Sequence, residues 1–378
     1  MALARSARPL KKLRSIVRRV HLLMGLTLGF VLALAGMTGS ALVFYVEIDR
    51  AAHRALWVTG VEEPRSWEAA LQTLRIAYPD KEGPWRFEVR GDGGPIPARY
   101  YNPPETAGRD FAPMLVWLSP DGSQVLRRAY WGETAMTWIY DLHYQLLLGK
   151  TGGVVMAWVG VAALFLLMTG LWAWWPRPGG ALKAFRVKRN GSRIRRLYDL
   201  HKTTGLSAVL VLIILVVTGA ALGLPKEADF VLSSTLGSPA AAKVPTPEWS
   251  GARVSVDRAL QAARGSLPRG RLAWIEAPGV NAGFYRFRFQ VEGDPSRRFP
   301  HSHVFVHPTA GEVINVFDVR EYGASTAIKN WLHPLHDGSA AGLPGRLSIC
   351  AFGLAPAFLL VTGLLRWRRR RVARKAAP

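Results

Sequence analysis

Four stretches of the chain are apolar on every face: roughly residues 20–46, 151–175, 204–224 and 347–367. Each meets the requirement of about 20 apolar residues to cross a ~30 Å hydrocarbon core, so the pattern predicts four membrane-spanning helices. The first follows basic residues, as a signal peptide would. It is too long for a signal-peptide core and matches the third, which is internal, so it reads as retained. Between these stretches the pattern changes to short periods. In residues 66–74 Ser66 is a good N-cap, Glu68 falls in the first turn, and Leu71 and Leu74 make an apolar face, which predicts a helix. Alternation at Trp85–Val89 and Met114–Leu118 predicts strands, and Ser119-Pro120-Asp121-Gly122 is a hairpin turn leading into Gln124–Arg128. The later segment repeats the layout. Ser255 opens a helix, Phe284–Val291 alternates, and Pro308-Thr309-Ala310-Gly311 joins Val304–Val306 to Glu312–Val316. Linkers rich in Pro and Gly, 91–97 and 237–247, fall within or beside these modules.

The spans themselves repeat. His21 is followed by Gly25-Leu26 and, at +17, by Thr38-Gly39; His201 is followed by Gly205-Leu206 and, at +17, by Thr218-Gly219. A second pattern links His143 with Gly149, Gly152, Thr169-Gly170 and Trp174. His336 has Gly342, Gly345, Thr362-Gly363 and Trp367 at the same offsets. Agreement at so many offsets reads as an internal duplication, with a histidine at a fixed place in each of four helices.

Charge sets the topology. The net charge of +23 is concentrated in three short places. Residues 1–20 hold seven Lys/Arg and no acid, residues 176–200 hold eight against one, and the tail from Arg366 holds seven against none. Short basic loops mark the cytoplasmic side, which puts both termini and the central loop inside. The long segments are nearly balanced, with 11 basic and 14 acidic residues in 47–148 and 13 and 11 in 225–343. They lie outside, and a surface for nucleic acid is excluded because no basic patch sits in a folded segment. The tail is a stop-transfer signal in contact with lipid.

The reading is an α-helical membrane protein with four transmembrane helices in two tandem repeats, each carrying a small α+β external module. The boundaries are a basic N-terminus, 1–19; helix 1, 20–46; module 1, 47–142; helix 2, 143–175; a basic loop, 176–200; helix 3, 201–224; module 2, 225–335; helix 4, 336–367; and a basic tail, 368–378.

By this topology His21 and His201 lie at the cytoplasmic ends of their helices, and His143 and His336 at or just above the external ends. Two same-depth pairs are what two bis-imidazole sites require. Zinc takes four protein ligands, or three and water, and neither cysteine nor acid accompanies His21 or His201 in the membrane. The single cysteine, Cys350, excludes a disulfide or an iron–sulfur cluster held within the chain. Haem iron needs only two axial ligands. Gly25 and Gly205 share the face of their histidines, where they leave room for a flat ring or for close helix packing. His333, three residues before His336, is an alternative ligand or a substrate-side group. His301, His303 and His307 alternate along one strand-like stretch, either as a metal or chelate site or as part of an ordinary strand. Trp172, Trp174, Trp175 and Trp367 read as an aromatic belt.

These repeated His-x3-Gly-Leu…Thr-Gly helices, the Leu-His-x5-Gly-x2-Gly pattern at His143 and His336, and the Thr309-Ala310-Gly311-Glu312 hairpin resemble the PepSY-associated transmembrane proteins. In particular the chain is similar to the ferric-siderophore reductases of that family, over about Val20 to Trp367. The resemblance implies PepSY-like periplasmic modules, a bacterial inner (cytoplasmic) membrane, haem b, and His21, His143, His201 and His336 as its ligands. It implies an oxidoreductase that reduces a periplasmic ferric siderophore to release Fe(II). No flavin or nicotinamide site is evident, so the electrons come from a separate donor, a quinol or a cytoplasmic reductase. A non-catalytic PepSY membrane binding or regulatory protein and a siderophore permease stand as the other readings.

Overall fold

The computed structural model describes residues 2–175, 185–188, 190–280 and 282–375, with side chains from residue 12 onward. Parts of the basic N-terminus, the basic central loop and the basic tail therefore lie outside the described residues. In chain order, the first half comprises α1 (Ala2–Thr27), α2 (Gly29–Leu42), α3 (Tyr45–Ala52), α4 (Trp67–Ala77), β1 (Trp85–Glu88), β2 (Ile96–Tyr100), β3 (Met114–Leu118), β4 (Val125–Tyr130), α5 (Ala135–Gln145) and α6 (Gly149–Trp174). The second comprises α7 (Arg193–Gly223), α8 (Pro225–Leu236), α9 (Val256–Ser266), β5 (Arg271–Ala277), β6 (Tyr285–Gln290), β7 (Ser302–Val306), β8 (Val313–Phe317), α10 (Ala324–His336), α11 (Gly342–Gly353) and α12 (Ala355–Lys375). The chain divides into two compact units. Residues 1–43, 142–225 and 335–378 form one, and 44–141 with 226–334 form the other.

The first unit is a helical bundle. Three helical stretches, Gly149–Trp174, Arg193–Gly223 and Ser339–Lys375, are long and apolar enough to cross a membrane, and α1 and α2 make a fourth if the bent pair is one span. The bend is 57°. It falls where Thr27 turns its hydroxyl back onto the carbonyls of Leu23 and Met24 and where Gly29 follows, two recognised causes of helix kinks. Packing runs round a ring: α1 against α6, α6 against α7, α7 against α12, and α12 against α2. Small residues bring the backbones close. A Cβ at Gly36 of α2 would fall 2.1 Å from the Gly353 carbonyl oxygen of α11, and Ser40 donates to the Cys350 carbonyl at 2.9 Å. Such contacts, with van der Waals fit, hold helices together where lipid removes the hydrophobic drive. Large apolar side chains point outward, Phe30, Phe165 and Leu210 among them, each more than 60 % exposed. A hydrocarbon surround is what would cover them.

The helices run further than their apolar stretches. α7 takes in residues 193–200 of the predicted basic loop, and α12 continues through the arginines to Lys375, because charge interrupts hydropathy without interrupting helicity. The second and fourth spans are also broken where one helix each was expected. His143 and His336 stand on the short helices α5 and α10, ahead of the breaks. Leu146 and Leu147 both have positive φ, 52° and 60°, and Gly149 follows at 61°. In the second half Gly338 and Gly342 take 78° and 60°, a conformation costing an L-residue about 1–2 kcal/mol. The chain then folds back on itself tightly. A Cβ at Gly152 would lie 1.8 Å from the Gln145 oxygen, and one at Gly345 would lie 2.2 Å from that of Gly338. This accounts for the Gly-x2-Gly spacing. Pro356 sits in the first turn of α12, where a missing N–H costs nothing.

In the second unit, two separate modules are expected from the sequence; the structure instead has one sheet. Its order is β4-β3-β2-β1-β5-β6-β7-β8, antiparallel throughout. β1 and β5 join the halves, Trp85 opposite Ala277 through Glu88 opposite Trp274. Each four-stranded half would otherwise carry one more unpaired edge. The hairpin turns are as predicted, with Gly122 and Gly311 at φ 76° and 71°. β2 and β5 were not anticipated; β2 takes in Pro97, the end of the predicted linker. One face of the sheet builds the core. Trp85, Phe87, Ile275, Phe287, Phe289 and Val304 are fully buried there against Leu71 and Leu74 of α4 and Ala259 and Ala263 of α9.

The two helices cap each other. Ser66 and Ser255 are the N-caps, accepting from the N–H groups of Ala69 and Arg258. Asp257 of α9 accepts from Ser66 Oγ and from the Trp67 and Glu68 N–H groups at 2.6, 2.8 and 3.2 Å. Glu68 of α4 accepts from the Val256 N–H at 2.9 Å and from Arg253 at 2.6 and 2.8 Å. Each carboxylate meets the other helix's orphan donors and its positive end.

Two groups make this unit sensitive to acid. Burial raises the Glu68 carboxyl, but Arg253, the Val256 N–H and Gln72 outweigh it and hold the pKa at about 2. Stability from Glu68 is therefore complete above its ordinary value of 4.5 and lost as pH falls towards 2. His303 is lowered from 6.5 to about 2, by burial and then by Arg288, Arg286, His301 and Arg86. The unfolded chain takes up that proton below about 6.5 and the folded one does not, so stability falls with pH from there down. Thermal melts of the full chain in detergent should show the melting temperature dropping from pH 7 to pH 3. His303→Gln should flatten the upper part of that slope and Glu68→Gln the lower part. Parallel curves for all three proteins would show that neither group carries the effect.

Candidate paired histidine sites

The bundle's neighbours are consecutive spans, so its diagonals are spans 1 and 3 and spans 2 and 4. The histidines meet across those diagonals. His21 on α1 and His201 on α7 have ring centroids 6.3 Å apart with planes at 84°. His143 on α5 and His336 on α10 are 6.2 Å apart at 51°. All four rings are half-buried. The depth argument paired the same residues.

What holds each ring is a seat on the other span of its own half. His21 Nδ1 lies 3.2 Å from both the Leu166 carbonyl and Thr169 Oγ1 of α6. His143 Nδ1 lies 3.0 Å from the Ala35 carbonyl and 3.1 Å from Thr38 Oγ1 of α2. His201 Nδ1 lies 3.0 Å from the Leu359 carbonyl and 3.1 Å from Thr362 Oγ1 of α12. His336 Nδ1 lies 3.0 Å from Thr218 Oγ1 of α7. A carbonyl can only accept. Each threonine hydroxyl donates to a carbonyl of its own helix, Leu34, Leu166, Ile214 or Phe358, so its oxygen also accepts. The proton therefore sits on Nδ1 in all four rings, and the lone pair is on Nε2.

The glycine after each threonine completes the seat. A Cβ at Gly170, Gly39 or Gly219 would fall 2.8, 2.8 or 2.9 Å from Cε1 of His21, His143 or His336, and one at Gly363 would fall 3.4 Å from that of His201. The four Thr-Gly pairs were visible in the sequence as repeats but were given no role. Their repetition at matched offsets was the signal; the contact they make is between helices and has no local mark.

The arrangement fits a metal held by two imidazoles. A metal–nitrogen bond of about 2 Å on each side, with about 1.1 Å from ring nitrogen to ring centre, sets two centroids roughly 6.3 Å apart. Among the described residues no group of three or more His, Cys, Asp or Glu is placed to hold a metal ion, so a zinc-type shell is not available. Two imidazoles at this spacing could hold the metal of a macrocycle that supplies the other four positions. Gly25 and Gly205 agree with this. A Cβ at Gly25 would meet nothing within 4 Å, and one at Gly205 only Leu359 at 3.7 Å, so neither serves close helix packing. Asp199, two residues before His201, is buried but belongs to Arg195, Lys202 and the Lys188 N–H.

The other histidines are elsewhere. His333 packs edge-on against Phe299 at 5.3 Å, in the sheet unit. His303 is buried on β7 between Phe305 and Phe317. His301 precedes that strand, 3.7 Å from Asp294. His307 follows it, and its Nδ1 accepts from the Thr309 and Ala310 N–H groups of the hairpin turn. They form no cluster.

The family described as PepSY-associated TM region matches residues 18–370, nearly the whole chain, and takes in both histidine pairs and all eight strands. No curated protein matches the chain. With a family match of that extent, laid over a helical bundle and its sheet, the chain belongs to the PepSY-associated transmembrane family.

Proposed function

We propose that this chain is an inner-membrane electron-transfer protein built as two tandem repeats, holding two haems b and reducing a periplasmic ferric siderophore to release Fe(II). Both termini and the central loop are cytoplasmic in this reading, and the sheet, with its two PepSY-like halves, is periplasmic. The observation that carries it is the matched spacing of His21 with His201 and of His143 with His336, at 6.3 and 6.2 Å.

His21 and His201 would hold one haem, and His143 and His336 the other. Bound there, haem supplies a one-electron iron couple. The chain's own residues decide how it behaves. Two imidazoles per site leave no position for oxygen, which suits electron transfer. The Nδ1–H bonds to threonine and carbonyl fix each ring's rotation and make it a stronger donor. From His21 to Thr38, whose hydroxyl seats His143, is 17 residues, about 25 Å of helix path. The two sites thus stand towards opposite faces of the membrane and together span most of its thickness. One electron taken from a quinol or a cytoplasmic reductase on the inner side converts one Fe(III) to Fe(II) on the outer side. Hard oxygen ligands hold Fe(II) less tightly, and the chelate lets go.

The first test is a reduced-minus-oxidised absorbance spectrum of the purified protein with pyridine haemochrome quantitation. About two haems b per chain are expected, with one lost in His21→Ala or His201→Ala and the other in His143→Ala or His336→Ala. A flat Soret region after expression with ample haem would end the reductase reading and leave a non-catalytic binding protein. A second test addresses the seats. Thr38→Val and Thr218→Val should each weaken haem retention at the His143–His336 site by roughly 10-fold or more and shift that site's midpoint potential alone. Unchanged retention and potential would mean the threonines only pack.

A further inference from the structure

The face of the sheet away from α4 and α9 is lined with arginine. The register sets the rows. Arg99 lies opposite Arg86, Arg86 opposite Glu276, and Glu276 opposite Arg286. In the next row Glu88 lies opposite Trp274, Trp274 opposite Arg288, and Arg288 opposite His303. Two carboxylates stand in these rows, while Asp49 pairs with Arg127 further along the same face. Glu88 is taken by Arg298 at 2.9 Å, Arg90 at 3.3 Å and Arg99 at 3.8 Å. Glu276 is taken by Arg86 and Arg286.

Arg288 is left over. It is half-buried, and among the described residues no carboxylate pairs with it and no acceptor takes its N–H groups. Burial, then Arg286 and Arg86 beside it, pushes its pKa down to about 10, against a smaller opposite pull from Tyr101 and Glu276. A guanidinium in that position still carries its charge, and the one carboxylate that acts on it, Glu276, is already shared by Arg86 and Arg286. Across the strand pair His303 is more than nine-tenths buried, and its Nδ1 has no hydrogen-bond partner. Aromatic rings complete the surroundings. Arg86 lies over the Tyr101 ring at 4.1 Å, and Trp274 is stacked on Phe299 at 5.8 Å. Arg86, Tyr101, Trp274, Arg286, Arg288 and Phe299 line a single cleft, and Glu276 lines it with them.

We infer that this cleft is an anion subsite for a carboxylate-bearing ligand, with Arg288 as its principal contact. Its chemistry is charge-assisted donation from guanidinium to carboxylate, beside flat rings that accept the rest of the molecule. Resting on the reductase reading above, it sets the substrate class: ferric chelates that carry net negative charge through carboxylates, in preference to neutral ones.

The experiment uses the full chain in detergent. Isothermal calorimetry with citrate as the probe, and its neutral triethyl ester as control, compares wild type with Arg288→Gln and Arg288→Lys. Citrate should bind the wild type, weakly enough to be displaced by salt. The glutamine variant should lose at least ~10-fold in affinity, the lysine variant should keep part of it, and the ester should not bind at all. Melting temperatures establish that the variants fold. Equal citrate affinity in all three proteins overturns the inference. So does loss of Soret absorbance in Arg288→Gln with citrate affinity unchanged, which would mean that the guanidinium holds a cofactor carboxylate. A kinetic arm then reads the substrate class: Arg288→Gln should raise KM for ferric citrate at constant kcat and leave ferric tris-acetohydroxamate untouched. Failure of every chelate to be reduced would count against the reductase reading alone, because the binding arm needs no electron.

Discussion

Everything in the membrane unit depends on one exchange of hydrogen bonds. Within each half, each span gives its histidine's Nδ1–H to a threonine on the other. In hydrocarbon an unmet N–H is expensive, so the four bonds fix the bundle as much as they fix the rings. They leave the opposite edge of every imidazole to face a partner on the diagonal helix. Packing and chemistry are thus one set of contacts. The small residues follow from it: a ring edge seated on a helix needs glycine beneath it, and the helices come close enough to need Gly36 as well, while Gly152 and Gly345 admit the chain breaks just ahead of them.

The sheet unit depends on a different economy. Its two helices exchange capping carboxylates, Glu68 for Asp257, and its halves share a seam at β1 and β5. One face is a conventional apolar core. The other carries more guanidinium than its two glutamates can neutralise, held in place because each arginine stands on a rigid strand with its neighbours set by register.

Much of this was legible in the sequence, and the parts that were not share a cause. N-caps, hairpin turns and apolar spans are local, and Ser66, Ser255, Gly122, Gly311 and the four long stretches announced them. The histidines announced themselves by repetition. The seam between β1 and β5 joins residues some 190 apart in the chain, and neither strand carries a mark that says which edge it will meet. β2 was hidden by Pro97, a residue that argues against a strand interior. The arginines at 193–196 read as loop because charge was taken for irregularity. His333 and His336 are three residues apart on one helix, and the repeat offsets favoured His336 while leaving His333 as an alternative ligand. Only the fold sends the first to Phe299 and the second to His143.

The way the halves share their parts also says what a chain of half the length could be. Each histidine pair draws one imidazole from each half, and the sheet's centre is one strand from each. A half by itself would hold two lone imidazoles at different depths and a bare strand edge. Two identical halves would supply each other with all three. Each of these contacts takes one member from each half, as an isologous contact between two copies does. The two halves are not alike in detail: β6 puts Arg286 and Arg288 on the outward face, where β2, at the matching place in the strand order, has Pro97 and Arg99.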